Sequence, residues 1–446
     1  MAASRDAGDI INERVVAAIF DRAARHRYSP AVYDKMNAKI LDYCRQLFSK
    51  DYECQVVSNS ENPGAHYPTS LLIPVEENTD VPGQLRFGGK SSTFQPGNYK
   101  KMYESAQRVR TNRRFPVPTI LWNGKFLCRT AGVDVVSVAA DMNTILLNEG
   151  SSASDFEFQI NIATAAFFMK VKKFSIDMSV DVHLLNHLEV THICDLRGRD
   201  PSRDYPKFAE TCELYKTYYT AFKTAHLPYP SVDFFETYYR IREPEELRLN
   251  WKKKSPPLFD LTLPDIDSMT LLQTDVSKYR EWYTLDQTLN YLLVLQTYLT
   301  SDLLSVKGIL LHCIAGQDRT PLFVTLLRLS LWADGLLHAT LNPLEMLYLT
   351  VAYDWYLFGH NLKDCLNRGY WIMHFCYNIL DHITSDRFSV RGSEVETASS
   401  RCILPCFRPK TDRKKRLLEV KRLFLKFYAQ IERRPVQQPS TSTGRR

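Results

Sequence analysis

The sequence predicts an α/β fold: a central, partly parallel sheet flanked by helices, preceded by an N-terminal region of mixed α+β character. Three observations carry that prediction. Val190–Leu196 and the apolar run Ile309–Leu311 read as buried strands, and between them Leu285, Leu289, Leu292, Leu293, Gln296 and Leu299 share one face of a long helix, Tyr283–Leu304. Strand, helix and strand again make a crossover unit, which requires parallel neighbours. Behind the second strand, a short glycine-containing loop leads into the apolar-periodic segment Pro321–Leu337. A loop placed there lies beyond the carboxyl end of a strand, where open α/β sheets bind ligands.

Taken in order, Asp9–Ser49 is helical, with Ile11, Val15 and Ile19 and then Tyr33, Met36, Ile40, Tyr43 and Leu47 at spacings of three to four. Tyr52–Pro74 turns to short strands and loops, and Glu76–Tyr99 to loop. Pro116–Leu127 predicts two strands around an Asn123-Gly124 hairpin turn. Arg108, Arg110, Arg113 and Arg114 cluster just before it. They admit two readings, a solvated face or a patch turned towards phosphate. Asn148–Asp155 reads as a linker, which sets an N-terminal region at 1–150 apart from a domain at 156–390. Within that domain Asp181–Leu188 is helical and Arg197–Asp204 a charged loop. Tyr205–Ala225 favours helix, and Leu258–Leu263 a short strand. After the loop, Pro321–Leu337 is nearly encircled by apolar residues and belongs at the centre of the domain. Asn342-Pro343 starts a helix towards Trp355, and Asn367–Ile383 makes another. Thr384–Lys410 is irregular, 411–434 is a basic amphipathic helix, and 435–446 is a low-complexity tail.

The chemistry concentrates at Gly308–Thr320, Gly-Ile-Leu-Leu-His-Cys-Ile-Ala-Gly-Gln-Asp-Arg-Thr. Cys313 ends a strand, and Ile314, Ala315, Gly316, Gln317 and Asp318 form a loop. Arg319 and Thr320 open a helix. Backbone N–H groups of such a loop converge on anionic oxygens, and the helix dipole favours the same charge. Arg319 adds a planar fork suited to phosphate. Such surroundings lower a thiol from ~8.5 to roughly 3.5–7.5 and leave a thiolate aimed at phosphorus. A second Cys-to-Arg spacing, Cys402–Arg408, carries Pro405, has no glycine and follows a polar stretch. It lacks the features of an anion loop.

The signature His312–Thr320 resembles that of the cysteine-dependent phosphatases. Leu326–Leu337 (Leu-Leu-Arg-Leu-Ser-Leu-Trp-Ala-Asp-Gly-Leu-Leu) and Leu347–His360, ending Asp-Trp-Tyr-Leu-Phe-Gly-His, sharpen the likeness to the myotubularin-related lipid phosphatases. Within them the chain is most similar to the divergent egg-derived tyrosine phosphatase subgroup. The likeness spans about Leu184–Ser389, with Ile193–Leu196, Asn250–Lys252 and Gly124-Lys125 adding to it. No pleckstrin-like domain is recognisable in residues 1–150, which agrees with that subgroup. The resemblance implies a cysteine-phosphatase-like sheet and removal of the 3-phosphate from phosphatidylinositol 3-phosphate and its 3,5-bisphosphate. It implies Cys313 as nucleophile, Arg319 as phosphate clamp and Asp318 as general acid or substrate-orienting residue. Ile314, Ala315, Gly316, Gln317 and Thr320 would line the phosphate site. No cofactor and no metal are expected. One departure stands out: the family usually has tryptophan before the loop aspartate, where this chain has Gln317.

Physical argument leaves the acid open. A bound phosphate would raise the Asp318 pKa and make it a proton donor. Alternatively Asp318 is an ionised partner of Arg319, or Asp260 or Asp265 supplies the proton. Thr320 could assist the thiolate through its hydroxyl, His312 buttresses the loop, and the other histidines read as structural.

Composition bounds the setting. Hydrophobic content is 44% and charged content 24%, with a net charge of +7. That balance permits an anionic partner and does not call for nucleic acid. Ten cysteines without paired spacing suit a reducing, cytoplasmic setting. No apolar run is long enough to span a bilayer, so a lipid substrate implies peripheral contact with internal membranes. The candidate contact is 411–434, where Arg413, Lys414, Lys415, Arg416, Lys421, Arg422 and Lys426 surround a face containing Phe424 and Phe427. The alternative is that this face packs on its own domain.

Overall fold

A computed structural model describes residues 11–31, 33–59, 66–77, 96–133, 175–198, 218–236, 238, 246–249, 251, 260–302, 304–390 and 412–432. The expected linker at 148–155, the 199–204 part of the charged loop, the Cys402–Arg408 spacing and the tail at 435–446 lie outside them.

The N-terminal segment forms two helices, α1 (Glu13–Arg25) and α2 (Lys35–Ser49). Asn12 caps the first through its side chain on the Val15 amide, and Asp34 caps the second on Met36 and Asn37. The antiparallel pair β1 (Tyr52–Ser58) and β2 (Ser70–Glu77) packs against α2. Helix α3 (Pro96–Ala106) begins inside the stretch expected to be loop.

A five-stranded sheet forms the centre. Its strands are β3 (Val117–Trp122), β4 (Lys125–Ala131), β5 (His192–Arg197), β6 (Lys223–Tyr229) and β7 (Ile309–Cys313), in the order β3-β4-β7-β5-β6. Pairs β4/β7, β7/β5 and β5/β6 are parallel, and only β3/β4 is antiparallel. Helix α4 (175–187) leads into β5. The expected crossover is present: α5 (Thr284–Thr300) lies in the chain between β6 and β7. The hairpin turn is also as read, with Asn123 at φ 46° and Gly124 at φ 76°. What local patterning does not show is its place, for the hairpin joins the central sheet beside the Cys313 strand.

Two expectations are corrected. Tyr205–Ala225 does not extend as helix to its end, because Lys223–Ala225 open β6, a parallel neighbour of β5. Asn367–Ile383 is not one helix. Gly369, at φ 72°, closes α8 (Leu362–Arg368), and a new start gives α9 (Ile372–Asn378). Between β7 and α8 run α6 (Arg319–Ala333) and α7 (Pro343–Leu349). Every residue of α6 is buried, as its all-round apolar surface requires. Helix α7 starts with an Asn342/Glu345 capping box. It continues as a π-helical stretch, Thr350–Leu357.

The last helix, α10 (Arg413–Glu432), settles the two readings of its apolar face. Phe424 stacks on Tyr377 at 4.1 Å and meets Phe20 of α1 edge-on at 5.6 Å, and Phe427 stacks on Phe20 at 5.9 Å. Leu417, Val420, Phe424 and Phe427 are all buried. Three of its charges are engaged as well: Arg413 with Asp334 at 2.6 Å, Lys421 with Asp381 at 2.8 Å, Lys426 with Glu13 at 2.6 Å. This face is part of the core, so insertion into a bilayer through Phe424 and Phe427 is ruled out in this fold.

Candidate active site

Cys313 is the last residue of β7, and the loop after it is held by its carbonyls. Gly132, following β4, donates its amide to Cys313 O at 2.8 Å and Ile314 O at 3.0 Å. Gly316 O accepts from two buried guanidinium groups, Arg114 Nη2 at 3.1 Å and Arg129 Nη2 at 3.2 Å. Gln317 O lies 3.2 Å from His360 Nδ1. Carbonyls tied outward leave the opposite edges of those peptides, the N–H groups, to face the loop's interior. The Gly316 amide donates to Cys313 Sγ at 3.1 Å. Gly316 must be glycine: its φ is +68°, and a Cβ would stand 2.8 Å from Thr130 O.

Arg319 is buried, and its Nη1 donates to Leu196 O at 3.0 Å and Tyr229 O at 3.1 Å, the ends of β5 and β6. One edge of the fork is therefore fixed by the sheet, and no carboxylate among the described residues pairs with it. That overturns the reading of Asp318 as the partner of Arg319. Asp318 Oδ1 instead lies 2.9 Å from His360 Nδ1. Facing two acceptors, Nδ1 carries the proton, which leaves Asp318 Oδ2 uncommitted. His360 was grouped among structural histidines; its place in the quoted Phe358-Gly359-His360 segment was the only signal.

The alternative acids are placed elsewhere. Asp265 accepts from Lys223 Nζ at 2.7 Å and lies 2.9 Å from His192 Nε2, at the amino ends of β5 and β6. Cys313 is at the carboxyl end of β7, the opposite edge of the sheet. Asp260 is occupied by Arg280 and by the Tyr279 hydroxyl at 3.1 Å.

The arginine cluster before β3 divides: Arg108 and Arg113 are exposed, as a solvated face requires, whereas the other two fit neither reading. Arg110 is buried against Asp181, and Arg114 is buried with its guanidinium 4.4 Å over the Tyr67 ring. Burial pushes Arg114 down to about 10, which still leaves it charged at neutral pH. Arg114 supports the loop from behind and does not line it. Arg129, in β4, acts with it and was not singled out by sequence. Its Nη1 donates to Asp354 O at 2.8 Å in the π-helical stretch, and the Asp354 carboxylate holds Arg328 at 2.9 Å. Beneath the loop, His312 is fully buried and burial pushes it down to about 3, so it is neutral. Asp195, 3.8 Å away, would be raised by burial but is held well below the carboxylate range by Arg197. Thr320 Oγ1 is buried without a partner. Thiols at Cys44, Cys128, Cys194 and Cys376 are all raised by burial, which makes them inert at neutral pH. Asp318, His360 and Cys365 bring ligand atoms within 4.8 Å of one another, a donor set able to take a borderline-soft cation.

Fold and loop together have the arrangement expected of a cysteine-dependent phosphatase. A family model described as "Tyrosine phosphatase family" matches residues 174–333. The chain is 35% identical over 365 residues to the Homo sapiens phosphatidylinositol-3,5-bisphosphate 3-phosphatase MTMR14, covering 79% of this chain and 54% of that protein. It is 34% identical over 379 residues to the Mus musculus protein of the same name, covering 81% and 56%. The chain is similar to these myotubularin-related phosphatases over most of its own length. It spans about half the length of the curated relatives it matches.

Proposed function

We propose that this protein hydrolyses the 3-phosphate of phosphatidylinositol 3-phosphate and phosphatidylinositol 3,5-bisphosphate through a cysteinyl-phosphate intermediate. The carrying observation is the loop itself: a thiol sulfur taking an amide hydrogen bond, carbonyls tied outward and a buried arginine fixed along one edge. The names of the relatives supply the substrate class.

Each residue then has a task. The amides of Ile314–Asp318 and the open edge of Arg319 bind the non-bridging oxygens. Cys313 Sγ attacks phosphorus, the S–P bond forms and the P–O bond to inositol breaks. Asp318 passes a proton from Oδ2 to the leaving oxygen, steadied by His360. Water then attacks the phosphocysteine, Asp318 takes its proton back, and inorganic phosphate leaves. The unpartnered Thr320 hydroxyl is available to stabilise the thiolate as it is regenerated. Gln317, in place of tryptophan, leaves every one of these groups in position. Among the described residues no helix is long and apolar enough to cross a membrane, so the lipid is met from outside the bilayer. That surface is the rim of the loop, since the apolar face of α10 is covered.

Purified protein is offered soluble short-chain phosphatidylinositol 3-phosphate and a phosphotyrosine peptide at equal concentration. Phosphate release from the lipid, silent in Cys313→Ser, is expected. The family model's tyrosine-phosphatase description favours the peptide as the competing substrate. A large preference for it would reverse the assignment, and lipid binding without turnover would make the protein a silent scaffold.

A further inference from the structure

Asp318, His360 and Cys365 form a cluster that the chemistry above uses only in part. One carboxylate oxygen, one ring nitrogen and Cys365 Sγ lie within 4.8 Å of one another. Asp318 comes from the loop, and the other two come from α8 and the turn that leads into it. That turn is held firmly. The His360 amide donates to Trp355 O at 3.0 Å, its ring meets Trp355 edge-on at 4.6 Å, and the Cys365 amide donates to Asn361 O at 3.0 Å. Gly359, at φ +84°, packs so closely on His66 that a Cβ there would stand 2.4 Å from the His66 Cβ.

Two of the three donors have capacity that the fold leaves unused. His360 is 2% exposed, and its Nε2 is buried without a partner. Cys365 is 6% exposed, and among the described residues its thiol makes no hydrogen bond. A buried polar group left unmatched is uncommon in a folded protein and calls for a reason. The Asp318 side chain, 27% exposed, is the open side through which an ion can enter. Thiolate, imidazole and carboxylate together suit Zn²⁺, which binds all three at roughly 2.0–2.3 Å. Ligand atoms on such an ion stand roughly 3–4 Å apart, so the set needs little contraction. Three protein ligands leave a fourth position for water.

We propose that Asp318, His360 and Cys365 form an inhibitory Zn²⁺ site, which switches the phosphatase off by capturing its proton donor. The effect on turnover rests on the catalytic reading above; the binding of the ion does not. On binding, the thiol proton of Cys365 leaves to solvent and the S–Zn bond takes its place. The imidazole has one lone pair to give: Nε2 when the proton stays on Nδ1, or Nδ1 when the ion displaces that proton. Asp318, coordinated to the ion, carries no proton for the leaving inositol oxygen. Cys313 and Arg319 are not ligands, so phosphate binding and attack on phosphorus persist. The block is therefore selective by leaving group, since an aryl oxide departs without a proton.

The test has a binding arm and an activity arm. In the first, Co²⁺ is titrated into wild type, Cys313→Ser, Cys365→Ser and Cys365→Ala, and the thiolate-to-cobalt charge-transfer band is read, then its displacement by Zn²⁺. The band should appear in wild type and in Cys313→Ser and be absent from both Cys365 variants, each of which should keep wild-type turnover in chelator. A band that survives the loss of Cys365 overturns the site, and so does one lost with Cys313, which would make the nucleophile the ligand. In the second arm, saturating Zn²⁺ should lower kcat on short-chain phosphatidylinositol 3-phosphate ~10²–10³-fold and far less on an aryl phosphate, with chelator restoring both. In Cys365→Ala the half-inhibiting Zn²⁺ concentration should rise ~100-fold, the upper end of what loss of a mere supporting partner costs a metal site. Equal inhibition of both substrates, unchanged inhibition of Cys365→Ala, or a cobalt band without loss of lipid turnover each overturns the inhibitory role. Protein that turns over neither substrate yet shows the Cys365-dependent band removes the proposed activity and keeps the metal site.

Discussion

Arg114→Met tests whether the loop is held from behind. Arg114 is completely buried, donates from Nη2 to Gly316 O at 3.1 Å and Phe358 O at 2.6 Å, and lies 4.4 Å over Tyr67. Methionine fills the volume of the stem and removes every donor. Gly316 O keeps Arg129, whereas Phe358 O loses the short bond from Arg114. An orphaned buried acceptor costs ~1–3 kcal/mol. The lost cation–π contact adds ~1–2 kcal/mol. Relief from burying a charge offsets part of this. A net destabilisation of ~3 kcal/mol is expected, measured by urea unfolding. Because one tether on Gly316 remains, kcat on soluble lipid should fall ~10-fold, an order less than the ~10²–10³ that loss of a transition-state donor produces. The double variant with Arg129→Met should lose more than the sum. A normal kcat with a raised KM would refute the reasoning, since it would make Arg114 a substrate contact. A stability loss below 1 kcal/mol would do the same for the tether.

Asp318→Asn should lower kcat on the inositol lipid ~10²–10³-fold, yet much less on an aryl phosphate, whose leaving group departs without a proton; equal losses on both would remove Asp318 as the acid. His374 packs among Trp371, Phe424 and Tyr428, and burial pushes it down to about 4. Its neutral form is favoured in the fold, so its stability contribution is complete above the unfolded value of 6.5 and is lost as pH falls from there towards 4. That slope is ~1.4 kcal/mol per pH unit, or ~2 kcal/mol by pH 5. His374→Phe should flatten the pH dependence of urea unfolding between pH 7 and 5 by that amount, and parallel curves would contradict it. Deleting 411–446 should unfold the protein at ordinary temperature, as Phe424→Ala alone removes ~3–5 kcal/mol; a folded truncation that stops binding liposomes would restore α10 as the docking element. Added zinc should inhibit through Asp318, His360 and Cys365, with Cys365→Ser relieving it; equal inhibition of that variant would place the metal elsewhere.

Local signals carried the Cys313 loop because everything it needs is contiguous: strand, Cys313, Gly316, Arg319 and the buried helix behind. The strand at Lys223–Tyr229 was missed for a physical reason. Lys-Thr-Ala-His-Leu-Pro-Tyr has little β-branching and no alternation, and its extended form follows from pairing with β5. The support of the loop was hidden for another reason. Arg114 and Arg129 look like surface charges in any window of sequence, and their burial depends on Gly316 O and Asp354 O, far along the chain. His360 reaches Asp318 across 42 positions, a distance no motif spacing reports.

The place of β4 in the sheet bears on how the protein comes into being. Its partner β7 is made much later, and the tie from Arg129 to Gly316 spans 187 positions. As the chain leaves the ribosome, the β3–β4 hairpin must wait with one edge unpaired and two arginines unpartnered in their final roles. Closing so large a loop is slow, since its entropic cost precedes any reward from the contacts it makes. The loop from Cys313 to Arg319 therefore acquires its shape only when most of the chain has emerged. Long-range pairing of this kind also exposes an adhesive strand edge during synthesis, which makes chaperone dependence and low-temperature expression the expected habits of this protein.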